Sequence, residues 1–269
     1  MDARFGLYTY AVVGENIGKL NILGIDKKTR VFPVERNGLS VLVSKIDTGR
    51  FKNQVEKVIS EMTQSQNSLG DKVENLLLSH QEVVDALAKV ATIVPFKFGT
   101  ILKNEMAALK MLKDYEKKFK KLLSKFTGSA EWGLKVYANN QEFKKYLVQI
   151  ESPQKNLEEK REKLSAGAAY LFGRKMEEEL KDDINRQLAE VANTIFKQAE
   201  KYAFEAKLNK TLPKKLTGKD KEMVLNSTYL IEKDKVGSFN KQIERLTKRY
   251  EPMGLKLEVS GPWPAYSFT

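Results

Sequence analysis

Cysteine is absent from the 269 residues, and histidine occurs once, as His80. The first absence excludes disulfides, thiolate metal sites and thiol nucleophiles, and it fits a cytoplasmic setting. The second excludes any metal centre built on several imidazoles. No run approaches the roughly 18 apolar residues of a membrane-spanning helix. The opening MDARFGLYTYAVVGEN lacks the basic segment and small-residue cleavage site of a signal peptide and reads as a strand. There is no G-x-S-x-G elbow to partner His80. Gly218-Lys219 has proline and aspartate where a phosphate loop needs glycine and Ser/Thr, and Gly14, Gly18, Gly167 and Gly173 do not match a dinucleotide fingerprint. No tract is repetitive or of low complexity.

What is present is an ordinary globular composition, 41% hydrophobic and 30% charged, with a net charge of +12. The excess is diffuse: residues 1–128 hold 21 Lys+Arg against 14 Asp+Glu, and residues 129–269 hold 26 against 21. A spread of this kind attracts acidic partners without defining a nucleic-acid groove. Six lysines between Lys113 and Lys125 read as a solvated helix face, with an acidic partner as the alternative. The carboxylates Glu177–Glu179 and Asp182-Asp183 splay around a helix and do not converge on a metal or a proton.

Apolar periodicity divides the chain. Strands are expected at Phe5–Val13, Leu20–Ile25 and Val31–Glu35, the last closing a 31–46 hairpin through Asn37-Gly38, since Asn-Gly between apolar runs suits a turn with two positive φ values. Helices are expected from about Phe51, with Val55, Val58, Ile59 and Met62 on one face. Another starts at Asp71, its apolar face carrying Val73, Leu76, Leu77, Val83, Val84, Leu87 and Val90, and ends before Ile93-Val94-Pro95. A single helix is expected over 104–126.

Thr127-Gly128-Ser129 is the expected boundary between domains 1–128 and 129–269. The second domain begins with a strand at 131–138 and a short helix at about 141–150. A helix start at Ser152-Pro153 and a helical pattern to about Leu208 follow. Those ~55 residues would extend roughly 80 Å, so a break at Gly167 or Gly173 is expected. Then come a strand within 209–217, a strand at 223–232, a helix at 235–249 and a strand from Leu255 to Val259. The order is that of an elaborated β-α-β-β-α-β, ferredoxin-like unit. The fold class is therefore α+β: an N-terminal α/β domain of antiparallel strands then helices, and a modified ferredoxin-like domain with a long added helical section. The period of Leu255, Leu257 and Val259 extends to Trp263, placing that ring on the core side, ahead of a rigid tail folded on the body.

Several stretches combine Gly, Pro and large apolar residues in ways that generic loops do not: GLYTYAVV, HQEVVDALAKVATIVPFKFGTIL (80–102), EWGLKVY (131–137), GAAYLFGRK (167–175), LNSTYLIEK (225–233) and SGPWPAYSF (260–268). In this order and over nearly the whole chain they resemble the gas vesicle protein family GvpF/GvpL. The Gly-Pro-Trp-Pro-x-Tyr-x-Phe element is the most specific. The resemblance implies a non-enzymatic accessory or minor structural protein of gas vesicle assembly. It would act by contacts with the small hydrophobic shell protein and other accessory proteins, at the gas vesicle and in the cytoplasm during assembly. It implies no cofactor, metal, catalytic residue, small-molecule substrate, specific nucleic acid or membrane span, and it leaves the F and L subgroups unseparated. The motif positions it carries over are His80, Pro95, Phe98, Gly99, Thr100, Glu131, Trp132, Lys135, Tyr170, Asn226, Tyr229, Gly261, Pro262, Trp263, Pro264, Tyr266 and Phe268. Two roles stay open for them, internal packing and partner contact. The alternative function is a basic nucleic-acid-binding module with bases stacked on a ferredoxin-like sheet, although no RNP-type segment is present. An enzyme built on Glu131, Lys135 and His80 is the third reading.

Overall fold

The structure is a computed structural model that describes residues 4–14, 17–18, 20–64, 71–150 and 166–269. It has two compact units. One is Met1–Glu131 together with Pro262–Thr269, and the other is Trp132–Gly261. The final segment was expected in the second domain. It belongs to the first unit because Ala265 and Phe268 are buried and Ser267 is hydrogen-bonded to Glu131. The helix start at Ser152-Pro153 lies outside the described residues, as do the side chains of Val58, Ile59, Met62 and Val73.

The first unit is built on β1 (Phe5–Val13), buried from Gly6 onward, which accounts for its nearly continuous apolar sequence. The strand order is β2-β3-β1-β4, with β2 at Phe32–Arg36, β3 at Leu39–Asp47 and β4 at Ile93–Pro95. A further strand, β5 (Ile101–Leu102), also pairs with β1. The β2–β3 hairpin turns at Asn37 and Gly38, with φ of 48° and 74°, the pair of positive values the Asn-Gly signal requires. The expected strand at Leu20–Ile25 is absent. That segment makes one isolated bridge, Leu23 to Arg30, because its groups are used in a tight turn. Asp26 Oδ1 accepts the N–H groups of Lys28 and Thr29, and Gly24 N–H donates to Thr29 O.

Helices α1 (Thr48–Gln64) and α2 (Asp71–Val90) pack on β1. Val83, Val84 and Leu87 of α2 enter the core as expected, but Leu77 and Val90 are exposed; Ser79 and His80 are buried in their place. The expected single helix over 104–126 is two, α3 (Glu105–Asp114) and α4 (Glu116–Phe126), joined at Tyr115, whose φ/ψ of −111°/15° leave the helical region. α3 lies against β2, β3 and β5, and α4 against β4.

In the second unit, β6 (Ser129–Ala138) is followed by α5 (Asn140–Ile150), α6 (Ala166–Glu200), β7 (Glu205–Leu208), a helical turn α7 (Lys214–Thr217), β8 (Glu222–Glu232), α8 (Val236–Tyr250) and β9 (Leu255–Trp263). The sheet order is β7-β8-β6-β9. Thus β8 lies between β6 and β7, and β6 between β8 and β9, the doubly split β-α-β arrangement of a ferredoxin-like unit. Ile184, Leu188, Ala192, Ile195 and Ala199 of α6 and Phe239, Ile243 and Leu246 of α8 bury a helical stripe against Leu134, Val136, Tyr229 and Ile231. At the helical period, spacings of three and four keep such residues on one face.

Three expectations for this unit change. The helix runs through Gly173 without a break. It stops at Glu200, and the second strand lies at Glu205–Leu208, ahead of 209–217, because Phe204 N–H already donates to Leu230 O. Finally, the alternation of β9 holds for Leu255, which is buried, and for Leu257, which packs on the same cluster; Val259 and Trp263 are 38% and 43% exposed. β9 is an edge strand of this sheet, and Trp263 lies past Gly261, the last residue of this unit.

Candidate functional site

Tyr8 and Tyr10 sit two residues apart on β1, where the β1–β3 register shifts between Thr9 and Ala11. Opposite them, the connection between β4 and β5 bows away from the strand. Phe96 N–H donates to Tyr10 O and Thr9 N–H to Thr100 O, at 2.8 and 2.9 Å. The Pro-Phe-Lys-Phe-Gly-Thr stretch therefore bulges against the two tyrosines and carries Phe98 toward them. Gly99, with φ of +81°, adopts the left-handed conformation that glycine tolerates and donates its N–H to the Tyr8 hydroxyl at 3.0 Å.

His80 of α2 completes the cluster. Its Nδ1 lies 3.0 Å from the Tyr8 hydroxyl. That hydroxyl therefore meets both the Gly99 N–H and the imidazole. Nε2 faces the hydroxyl of Tyr266 at 3.4 Å, and Tyr266 donates to Gln81 Oε1 at 3.3 Å. The rings of Tyr8, Tyr10, Phe98 and Tyr266 surround the imidazole at centroid distances of 5.6, 6.0, 5.9 and 6.4 Å. Burial pushes His80 down to about 4, against the opposing pull of the Phe96 carbonyl. Burial also raises the phenols of Tyr8 and Tyr266 well above their ordinary range and holds Tyr10 up at about 12. At neutral pH the site is a neutral hydrogen-bonded chain, and both imidazole nitrogens face phenols.

Two further anchors hold the final segment. Ser267 donates its N–H and hydroxyl to the two carboxylate oxygens of Glu131, at 2.8 and 2.7 Å. Phe268 is 3% exposed and lies under the Lys125 ammonium, 5.5 Å from the ring centroid. Beside the anchored tail, Leu77, Leu78, His80, Gln81, Lys97, Phe98 and Tyr266 line an open groove of about 460 Å³. Its walls are mostly apolar, with Leu77 and Leu78 projecting at 37% and 52% exposure.

The motif positions are therefore divided. His80, Phe98, Gly99 and Tyr266 meet in one cluster, with Thr100 and Pro95 on the strand edge that shapes it. Glu131 and Phe268 hold the tail, while Pro262 and Trp263 are exposed. In the second unit, Tyr229 is fully buried between Phe196 and Phe239, Trp132 packs on Phe239, and Lys135 is half-buried on β6. Asn226 ties down the segment after β7 through its Nδ2 and the Lys210 carbonyl at 2.9 Å. Tyr170 lies on α6 with its side chain outside the described residues, Gly261 has φ of 127°, and Pro264 is half-buried. Sequence reasoning missed Tyr8, Tyr10, Gln81 and Ser267. The signal was the pair Tyr-x-Tyr inside a buried strand, since buried phenols need partners and only one histidine was available. Tyr137 and Tyr229 are buried, which removes them as stacking platforms for bases. Among the described residues no group of three or more His, Asp or Glu could hold a metal ion, and no helix is long and apolar enough to cross a membrane.

A sequence profile described as gas vesicle synthesis protein GvpL/GvpF matches residues 6–269. The chain belongs to this family. It is 23% identical to gas vesicle protein L1 of Halobacterium salinarum over 98% of this chain and 90% of that protein. It is 25% identical to gas vesicle protein L of a Streptomyces species over 71% and 67%. In three dimensions it is similar to the crystal structure of GvpF from an Anabaena species, with a TM-score of 0.70 and 18% identity over 98% of this chain and 97% of that one. The crystal structure of GvpF from Microcystis aeruginosa gives a TM-score of 0.66 at 18% identity, covering 98% of each chain. These two likenesses establish the α+β fold with its two antiparallel-rich sheets. L and F proteins both stand among the relatives at similar identity.

Proposed function

We propose that the chain is a non-enzymatic accessory or minor structural protein of gas vesicle assembly, acting through contacts with the hydrophobic shell protein and other accessory proteins. The observation that carries this reading is family membership across residues 6–269. The first unit supports it with the open apolar groove of Leu77, Leu78, Phe98 and Tyr266 beside the anchored tail. An exposed apolar surface of this kind on an otherwise charged chain suits a partner that must be shielded from water. The motif residues then have two roles. His80, Gly99, Glu131, Tyr229, Tyr266 and Phe268 hold the fold, and Pro262 and Trp263 face outward for a partner. The chain works in the cytoplasm during assembly and at the vesicle thereafter.

Coexpression with the shell protein and the other accessory proteins, followed by affinity purification, tests the reading. The shell protein is expected to copurify, and Leu77→Glu with Leu78→Glu is expected to reduce its recovery while leaving the melting temperature unchanged. Capture of no vesicle protein, together with normal vesicles in a strain lacking the gene, would reject it.

A further inference from the structure

Strand β7 is the edge of the second unit's sheet and pairs, among the described residues, only with β8. Its register runs from Glu205 opposite Leu230 to Leu208 opposite Ser227, and Asn209 N–H donates to Asn226 O. In an antiparallel ladder hydrogen-bonded and non-bonded positions alternate. Asn209 is bonded, so Glu205 and Lys207 are bonded too, and Ala206 and Leu208 turn their N–H and C=O groups to the open side. The chain stays beside β8 past the strand's end: Asn226 Nδ2 holds the Lys210 carbonyl and Leu212 N–H reaches Met223 Sδ.

An unpaired edge is ordinarily guarded by charge or proline and kept free of large apolar groups. This one has lysines, yet it also exposes Phe204 and Leu208 at 62% each, Leu212 at 37% and Leu216 at 71%. Phe204, Leu208 and Leu212 recur every four residues along this edge segment. Around this row residues 201–221 hold seven lysines against Glu205 and Asp220. Lys207 pairs with Glu205 and Lys219 with Glu258, while Lys201, Lys210, Lys214 and Lys215 are exposed.

We infer that the β7 edge is a strand-addition site for an extended segment of a partner protein in which carboxylates alternate with apolar side chains. The open N–H and C=O groups of Ala206 and Leu208 take the partner's backbone, the apolar row takes its alternate side chains, and the lysines take its acids. Charge decides between occupants. A second copy of this chain would bring two lysine-rich segments face to face, which is unfavourable, whereas an acidic strand is attracted. The site is separate from the groove of the first unit and does not rest on the vesicle reading.

The test uses the full chain and the peptide acetyl-(Glu-Val)4-amide, with acetyl-(Lys-Val)4-amide and octaglutamate as controls. At saturating Glu-Val peptide, hydrogen exchange at the Ala206 and Leu208 amides is expected to slow at least tenfold. Leu208→Pro removes one outward N–H from an exposed position, and it is expected to weaken binding at least tenfold with an unchanged melting temperature. Phe204→Ser with Leu212→Ser alters only exposed side chains and is expected to weaken binding several-fold, which keeps the inference testable if the proline variant misfolds. Unchanged exchange at Ala206 and Leu208, equal binding of octaglutamate, or dimerisation of the chain through β7 would each overturn it. Failure here leaves copurification of the shell protein untouched, and failure of that copurification leaves the peptide result standing.

Discussion

Substitution of Phe268 by alanine probes how the final segment is held. The ring is 3% exposed and lies beneath the Lys125 ammonium. Truncating a buried phenylalanine destabilises by about 3–5 kcal/mol, and loss of a cation–π contact adds about 0.5–1 kcal/mol. The neighbouring anchor, Ser267 on Glu131, is retained in this variant, and the expected loss is about 3–5 kcal/mol. For a domain of this size 1 kcal/mol corresponds to about 2–4 °C, which puts the expected fall in melting temperature at ~10 °C. Thermal and urea unfolding followed by circular dichroism read this directly, and hydrogen exchange across Phe5–Val13 reports whether the first unit is the part that loosens. A variant with wild-type stability and wild-type exchange would refute the assignment of Phe268 to the core. If that variant had also lost its partners, the segment would be a docking peptide and not a clasp.

Other consequences follow from the same contacts. His80 has a folded-state pKa of about 4 against an ordinary value of 6.5, so the unfolded chain binds the extra proton. Its contribution is fully present above pH 6.5, is lost as pH falls from 6.5 to 4, and amounts to at most about 3 kcal/mol. In urea titrations over that window His80→Phe should show a flatter stability profile than wild type, and a parallel profile would count against the buried neutral imidazole. A double-mutant cycle of Glu131→Gln with Ser267→Ala should return a coupling of about 1–3 kcal/mol, and additivity would contradict the paired hydrogen bonds. Gly24→Ala would place a Cβ 2.5 Å from Ser44 Oγ and 2.9 Å from the Tyr10 hydroxyl, with an expected loss of about 1–3 kcal/mol in unfolding experiments. Trp132 has a buried indole N–H without a partner, so Trp132→Phe should change stability by no more than about 1 kcal/mol, because no hydrogen bond is lost.

The parts of the fold governed by local periodicity were legible in the sequence. The Asn37-Gly38 hairpin, the stripe of α6 and the Phe239, Ile243, Leu246 face of α8 each follow from backbone geometry within a few residues. What was not legible depended on distant surfaces. Tyr115 breaks a helix without proline or glycine, and the two halves pack on different strands, α3 on β2, β3 and β5 and α4 on β4. Trp263 is exposed although its spacing from Leu255 and Leu257 suits a core side, and it lies past Gly261, where the second unit ends. β7 hid inside a helical pattern, since residues 201–208 satisfy either period until Phe204 pairs with Leu230. Of the candidate site, His80 and the terminal aromatic motif stood out in the sequence. Their meeting did not, because it joins residues 186 positions apart through two tyrosines whose partners only the tertiary structure supplies.

The central claim, that this chain serves vesicle assembly by holding other vesicle proteins, is tested most directly in a vesicle-forming cell. The measurement is quantitative recovery of the shell protein on the tagged chain, compared with Leu77→Glu/Leu78→Glu and set beside vesicle number in a strain lacking the gene. The account predicts that the shell protein is recovered with the wild type, that recovery drops at least several-fold for the groove variant, and that vesicles fail without the gene. Normal vesicles in the deletion strain with no vesicle protein on the tagged chain would contradict it.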